Sequence, residues 1–283
     1  MRTRLCLALA VLLGTALPLP ALAQAPAQPA ATAKKAQPKP APKPVLEQRA
    51  VEMLQAMSAR LAAAKSLSFT AVASYEYPSR LGPPIVYTMR YDVSLQRPNL
   101  LKVVVPGDGP ATEFTWDGKE MVAFAPAENL VAVAAAPATL EGALKQAFDT
   151  AAIYFPFTDL LLPDPYAAIA PSALLAYVIG PSGIVGGVKT DMLVWANDDV
   201  FLQMWIGVDD KLPRRMRAIF RADPRGLRHD LEFGDWKLGP TLSGDAFDTA
   251  KAKAGQPMPF AVPGPAVPMS MKPRAGQPTP KPQ

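Results

Sequence analysis

The chain of 283 residues carries 29 basic and 24 acidic side chains but a single His and a single Cys, too few to assemble a Zn or Fe–S site. Nine of the basic residues lie in the leader and in two Pro-rich stretches; the remaining 20, between positions 45 and 254, face all 24 acidic ones. The central segment is therefore near −4, the opposite of a nucleic-acid-binding domain.

Arg2 and Arg4 are followed by an apolar run over residues 5–17 and by Ala21-Leu22-Ala23. A basic start, a short apolar middle and a small-x-small end make a secretory signal peptide over 1–23, with cleavage expected after Ala23. Cys6 leaves with it, so the mature chain has no thiol, and the expected location is the periplasm. Residues 24–44 hold six prolines and residues 255–283 hold nine. With almost no β-branched or aromatic side chains, both stretches read as disordered, a linker and a tail whose lysines could touch an anionic envelope surface. Between them, 45–254 is long enough for one domain with one core, expected to be monomeric.

The domain opens with an amphipathic helix over 45–65, in which Leu46, Ala50, Met53, Leu54, Met57 and Leu61 recur at helical spacing. Strands follow. Leu67, Phe69, Ala71, Ala73 and Tyr75 alternate with polar residues, and so do Ile85, Tyr87, Met89, Tyr91, Val93 and Leu95, which gives each strand one buried face. Further strands are expected over 100–105, 112–116, 119–125 and 129–134, with Asp117-Gly118 as a hairpin turn. A helical insertion begins at Thr139, an N-cap residue, and a short segment over 158–168 follows it. Strands then resume over 174–179, 188–196, 201–208, 214–222 and 228–238. Sequential strands with short turns predict an α+β, mainly β fold: a large curved antiparallel sheet of ten or eleven strands. An N-terminal helix and a mid-chain helical insertion cover it.

No catalytic constellation is present, and the sequence asks for no metal or cofactor. His229 is the only imidazole, Gly180-Pro181-Ser182-Gly183 lacks nucleophile-elbow spacing, and no Lys-Ser/Thr pair follows the glycines at 180–187. Asp198-Asp199 and Asp209-Asp210 fall on turns, where Asp bonds its own backbone. What remains is a density of rings and thioethers. Met53, Met57, Tyr87, Met89, Tyr91, Trp116, Trp195, Phe201, Trp205 and Trp236 are candidates to line an apolar pocket, or equally to fill an ordinary core, and they mix both strand faces. Arg214, Arg215, Arg217 and Arg221 are candidates to meet a headgroup or an acidic partner, or form a solvated face.

The ordered set Asp159-Leu160-Leu161, Asp164-Pro165-Tyr166-Ala167, Gly183-x-x-Gly186-Gly187-Val188-x-x-Asp191, Gln203-x-Trp205-Ile206, Leu212-Pro213-Arg214, Asp235-Trp236-x-Leu238 and Phe247 spans nearly the whole domain. It resembles a periplasmic family labelled only as a domain of unknown function, number twenty-ninety-two, in the superfamily of the carrier LolA and the lipoprotein LppX. The resemblance implies an open half-barrel whose concave face is covered by helices, a space that receives acyl chains in the carriers. The expected function is non-enzymatic binding or carriage of a hydrophobic ligand, a small molecule or a lipidated protein, between sheet and helices. The competing expectation is an envelope interaction or sensor module with a packed interior. An enzyme built on His229 comes third.

Overall fold

The computed structural model describes residues 43–262 except 81, 108, 109 and 244, so the leader, most of the 24–44 linker and residues 263–283 lie outside the described residues. The elements in chain order are β1 (Val45–Leu46), α1 (Gln48–Ala62), β2 (Ser66–Tyr77), β3 (Ile85–Gln96), β4 (Leu100–Val105), β5 (Thr112–Trp116), β6 (Glu120–Ala125) and β7 (Leu130–Ala135). Helices α2 (Leu140–Ala151), α3 (Thr158–Leu161) and α4 (Pro165–Ile169) then cross to the other side of the sheet. The chain continues through β8 (Leu175–Ser182), β9 (Thr190–Ala196), β10 (Val200–Gly207), β11 (Pro213–Phe220), β12 (Arg228–Leu238), α5 (Ala250–Lys253) and β13 (Gln256–Met258).

All thirteen strands form one open sheet in the order β1-β8-β9-β10-β11-β12-β2-β3-β4-β5-β6-β7-β13. The eleven inner strands pair antiparallel, as their alternation and short turns require, whereas β1 and β13 pair parallel at the two ends. The fold is α+β, mainly β, a half-barrel. The last strand lies in the stretch that composition assigns to the Pro-rich tail, so ordered chain continues past Ala254. Three residues are too few to show a period, and Pro257 and Pro259 mask the segment compositionally.

Helix α1 lays Ala50, Leu54, Met57, Ser58 and Leu61 on the concave face, positions that share one side of a helix. Its first turn is tied to the sheet by Glu47, whose carboxylate accepts the Val178 N–H at 2.8 Å. Its middle is tied to α4 through Ser58, which is buried. Ser58 Oγ donates to Asp164 Oδ1 at 2.9 Å and accepts the Tyr166 N–H at 2.9 Å. Asp164 also caps α4 by accepting the Ala167 N–H. Arg97, half-buried at the β3–β4 turn, donates to the Leu161 and Leu162 carbonyls and so fixes α3 against the sheet.

The β8–β9 loop folds onto the starts of β11 and the end of β12. Gly186 has φ +67°, and a Cβ there would sit 2.7 Å from Arg214 Cδ. Arg214 is paired with Asp210, Trp236 Nε1 donates to the Pro213 carbonyl at 3.0 Å, and the Trp236 ring stacks on Phe69 at 4.4 Å. These contacts close one end of the half-barrel.

Three outcomes follow. Gly186→Ala combines a disfavoured backbone region with a clash and should lower unfolding free energy by about 1–2 kcal/mol, read as a lower urea midpoint. Ser58→Ala strands the Tyr166 N–H and should cost about 1–3 kcal/mol. The Ala167 N–H, and then the Ser58 hydroxyl, hold the Asp164 carboxyl below its usual range. Its contribution is therefore present above the ordinary carboxylate pKa and is lost as pH falls through the lowered folded value. Asp164→Asn should be less stable than wild type at neutral pH, with a gap that narrows as urea midpoints are followed into acid.

Candidate functional site

Burial along the inward-facing positions of each strand shows where the concave face is left open. In β2, Leu67, Phe69, Ala71 and Ala73 are buried, Tyr75 is half-buried and Tyr77 is exposed. In β3, running the other way, Leu95, Val93 and Tyr91 are buried, Met89 is half-buried and Tyr87 is exposed. The same gradient runs from Leu231 to His229 in β12 and from Met204 to Val200 in β10. Helices cover one end of the trough, and the other end opens to solvent.

At the covered end the interior is filled. Trp116, Phe157, Leu54, Leu61 and Leu193 are fully buried, and Phe69, Phe157, Tyr91 and Phe155 form a chain of edge-to-face and stacked rings 5.3–5.9 Å apart or slightly more. Toward the open end lies a cavity of about 310 Å³ with an almost wholly apolar lining. Its floor is Val103, Val105, Phe114, Ala123, Ala125, Leu130 and Ala132 on β4–β7. Ala151, Ile153 and Phe155 cover it, and the strap Met258–Ala261 forms a side wall. The strap is held at both ends: the Gln256 N–H donates to Asn129 O at 2.7 Å and the Val262 N–H to Thr150 O at 2.9 Å. The charged group at the rim, Glu113, is paired with Lys102 at 3.1 Å.

None of the ten aromatic and Met candidates lines this cavity. Met57, Trp116 and Trp195 are packed core, and Trp236 is half-buried on Phe69. Tyr91 is buried beside the cavity wall, with Phe155 at 6.2 Å, and burial pushes its phenol pKa up. Tyr87 and Met89 lie on the open half of the concave face. Met53 faces a separate groove of mixed lining beside Asp191 and Lys211. Phe201 and Trp205 alternate with Leu202, Met204 and Ile206, so they project from the outer face, where Arg215 lies 5.5 Å over the Trp205 ring.

The arginine candidates do not form one site. Arg214 is taken by Asp210, while Arg215 and Arg217 share Asp230, with Glu232 also on Arg215. Arg221 lies beyond the end of β11, exposed. His229 is half-buried between Tyr75 (6.2 Å, stacked) and Phe220 (5.1 Å, edge-on). Burial lowers its pKa, against an opposing pull from Asp223, Asp230 and Glu76.

The cavity escaped a search for large side chains because room arises where side chains are small. Inward positions Ala123, Ala125 and Ala132 leave the space that the Trp116–Met121 pair of β5 and β6 fills one step further along the sheet. That run of inward alanines was the available signal. The side wall, Met258–Ala261, sits in the stretch that Pro content marks as tail.

A search of curated protein sequences returns no match. Among solved structures, LprF from Mycobacterium bovis is similar over 72% of this chain and 99% of that one, at 16% identity and a TM-score of 0.44. The LolA superfamily protein NE2245 from Nitrosomonas europaea is similar over 70% and 97%, at 12% identity and 0.33. MucB in the MucA/MucB complex of Pseudomonas aeruginosa is similar over 72% of this chain and 62% of that one, at 13% identity and 0.42. Over residues 50–261, strap included, the sequence matches a family model, and the chain belongs to the periplasmic family described as Predicted periplasmic protein (DUF2092).

Proposed function

We propose that this protein is a non-enzymatic periplasmic binding or carrier protein for a hydrophobic ligand, held in the cavity between β4–β7, the α2–α3 connection and the C-terminal strap. The observation that carries the reading is the lining: a walled apolar space on the concave face, whose one charged group among the described residues, Glu113, is paired with Lys102. A volume of about 310 Å³ stands at the small end of ligand pockets and suits a single alkyl chain or a compact apolar molecule. Each methylene buried there contributes about 0.8 kcal/mol before the costs of association. A charged head has no partner inside and stays at the mouth.

The filled interior at the covered end favours a second reading, an interaction module that recognises a partner through its rim. Native mass spectrometry of protein purified without detergent, followed by organic extraction, separates the two. A stoichiometric apolar adduct supports the carrier; a bare mass together with no uptake of apolar dyes supports the module. Within the carrier reading, Ala132→Phe projects a ring into the cavity and should weaken uptake at least about tenfold with the fold retained. Phe201→Ala, on the outer face, should leave uptake unchanged in the same dye titration.

A further inference from the structure

The β2–β3 hairpin ends in exposed apolar side chains, among which only Tyr75, Tyr77 and Tyr87 pack, ring on ring, with Tyr87 5.7 Å from Tyr75 and 6.0 Å from Tyr77. Tyr77 is 56% exposed, Ile85 46%, Val86 61% and Tyr87 48%. Register pairs Tyr77 with Ile85, Glu76 with Val86 and Tyr75 with Tyr87, so Ile85 and Tyr87 project from the inner face and Val86 from the outer one. Apolar side chains are thus bare on both sides of one strand. A rigid protein partner covers one side of such a ribbon, whereas a bilayer interface surrounds it.

The charge beside this tip is positive. The β2–β3 and β11–β12 loops enclose a cleft of about 480 Å³ lined by Arg80, Arg225, Arg228, Glu76 and Ser79. Glu76 is already engaged, accepting the Arg228 Nε–H at 2.8 Å and the Arg228 backbone N–H at 3.0 Å. Asp223 accepts the Arg225 and Leu227 N–H groups within its own turn, which leaves Arg80, Arg225 and Arg228 against Glu76 and Asp223. Among the described residues, Arg80 and Arg225 have no ion-pair partner. The acidic β9–β10 turn, with Asp198 and Asp199, is separated from the hairpin by β11 and β12.

We propose that this tip is a docking surface for an anionic phospholipid bilayer. Tyr77 and Tyr87 sit at headgroup level, Ile85 and Val86 enter the acyl boundary, and Arg80 and Arg225 meet lipid phosphates. Docking there points the open end of the trough at the membrane. The inference does not depend on what the cavity holds, because vesicle binding and ligand uptake are read separately.

Flotation of the purified chain with vesicles tests it, comparing equimolar phosphatidylglycerol and phosphatidylcholine with phosphatidylcholine alone. The expected result is binding to the anionic vesicles that weakens with salt and falls at least about tenfold in Arg80→Glu/Arg225→Glu and in Ile85→Ser/Val86→Ser. The arginine pair is exposed, so its loss of binding does not reflect unfolding, which a thermal melt verifies. In the chain from Gln24, which contains no cysteine, an environment-sensitive dye at Val86→Cys should shift to the blue with vesicles. The same dye at Ile184→Cys, 90% exposed on the β8–β9 loop, should not. No vesicle binding, equal binding to neutral vesicles, binding unchanged in both pairs because the Lys-bearing termini carry it, or a shift at 184 instead of 86 overturns the proposal.

Discussion

The structure turns on a mismatch of area. The concave face of the sheet is mostly apolar, yet its longest covering helix, α1, has 15 residues, a rod of about 22 Å. The remaining helices are short, and α2 lies toward the β4–β7 side. A sheet this wide cannot be roofed by that much helix, so its inner face passes from dry core to partly covered trough to bare hairpin. Both the cavity and the apolar tip are products of this incomplete cover.

Holding such a sheet open at one end requires that the other be locked. Residues Asp164, Gly186, Asp191, Arg214 and Trp236 of the motifs read from the sequence lie at the contacts that do so. Asp164 and Ser58 join α4 to α1, Asp191 meets Arg49 of α1 at 3.3 Å, and Gly186 admits the Arg214 side chain. Trp236 reaches across to the Pro213 carbonyl while stacking on Phe69. These residues sit away from the cavity. In this chain these stitches hold the half-barrel together and touch none of the cavity lining, so they bear on the fold and not on a ligand.

Most of the fold could be read from the chain. All eleven inner strands were expected, the first two from period-two alternation, and Asp117-Gly118 does make the β5–β6 turn, with Gly118 at φ +85° and Asp117 Oδ1 accepting two backbone N–H groups. Thr139 caps α2 as its position suggested. The edge strands β1 and β13 escaped because two or three residues carry no period, and their parallel pairing is decided by tertiary approach. Facing was the harder problem. In β10 both parities are apolar, Phe201 and Trp205 on one side and Leu202, Met204 and Ile206 on the other. Only the burial of β9 and β11 beside it decides which set turns inward. The site was the least legible part, since a cavity is set by missing volume, and sequence displays the volume that is present.

The C-terminal strap also changes how the sheet meets the rest of the cell's protein. Helix α5 rests Ala252 on the outer-face cluster of Val122, Phe124 and Val131, while Phe260 packs on the inner side, so the chain wraps around β7 like a hem. Lys253, paired with Glu120, fastens the fold of that hem. Without it, β7 would present a row of unpaired backbone groups on an apolar ribbon, a template for strand addition by any extended chain. A chain ending at Ala254, where the composition changes, would therefore lose a cavity wall and gain a sticky edge together. One short segment, Gln256–Val262, both walls the cavity and covers the edge of the sheet.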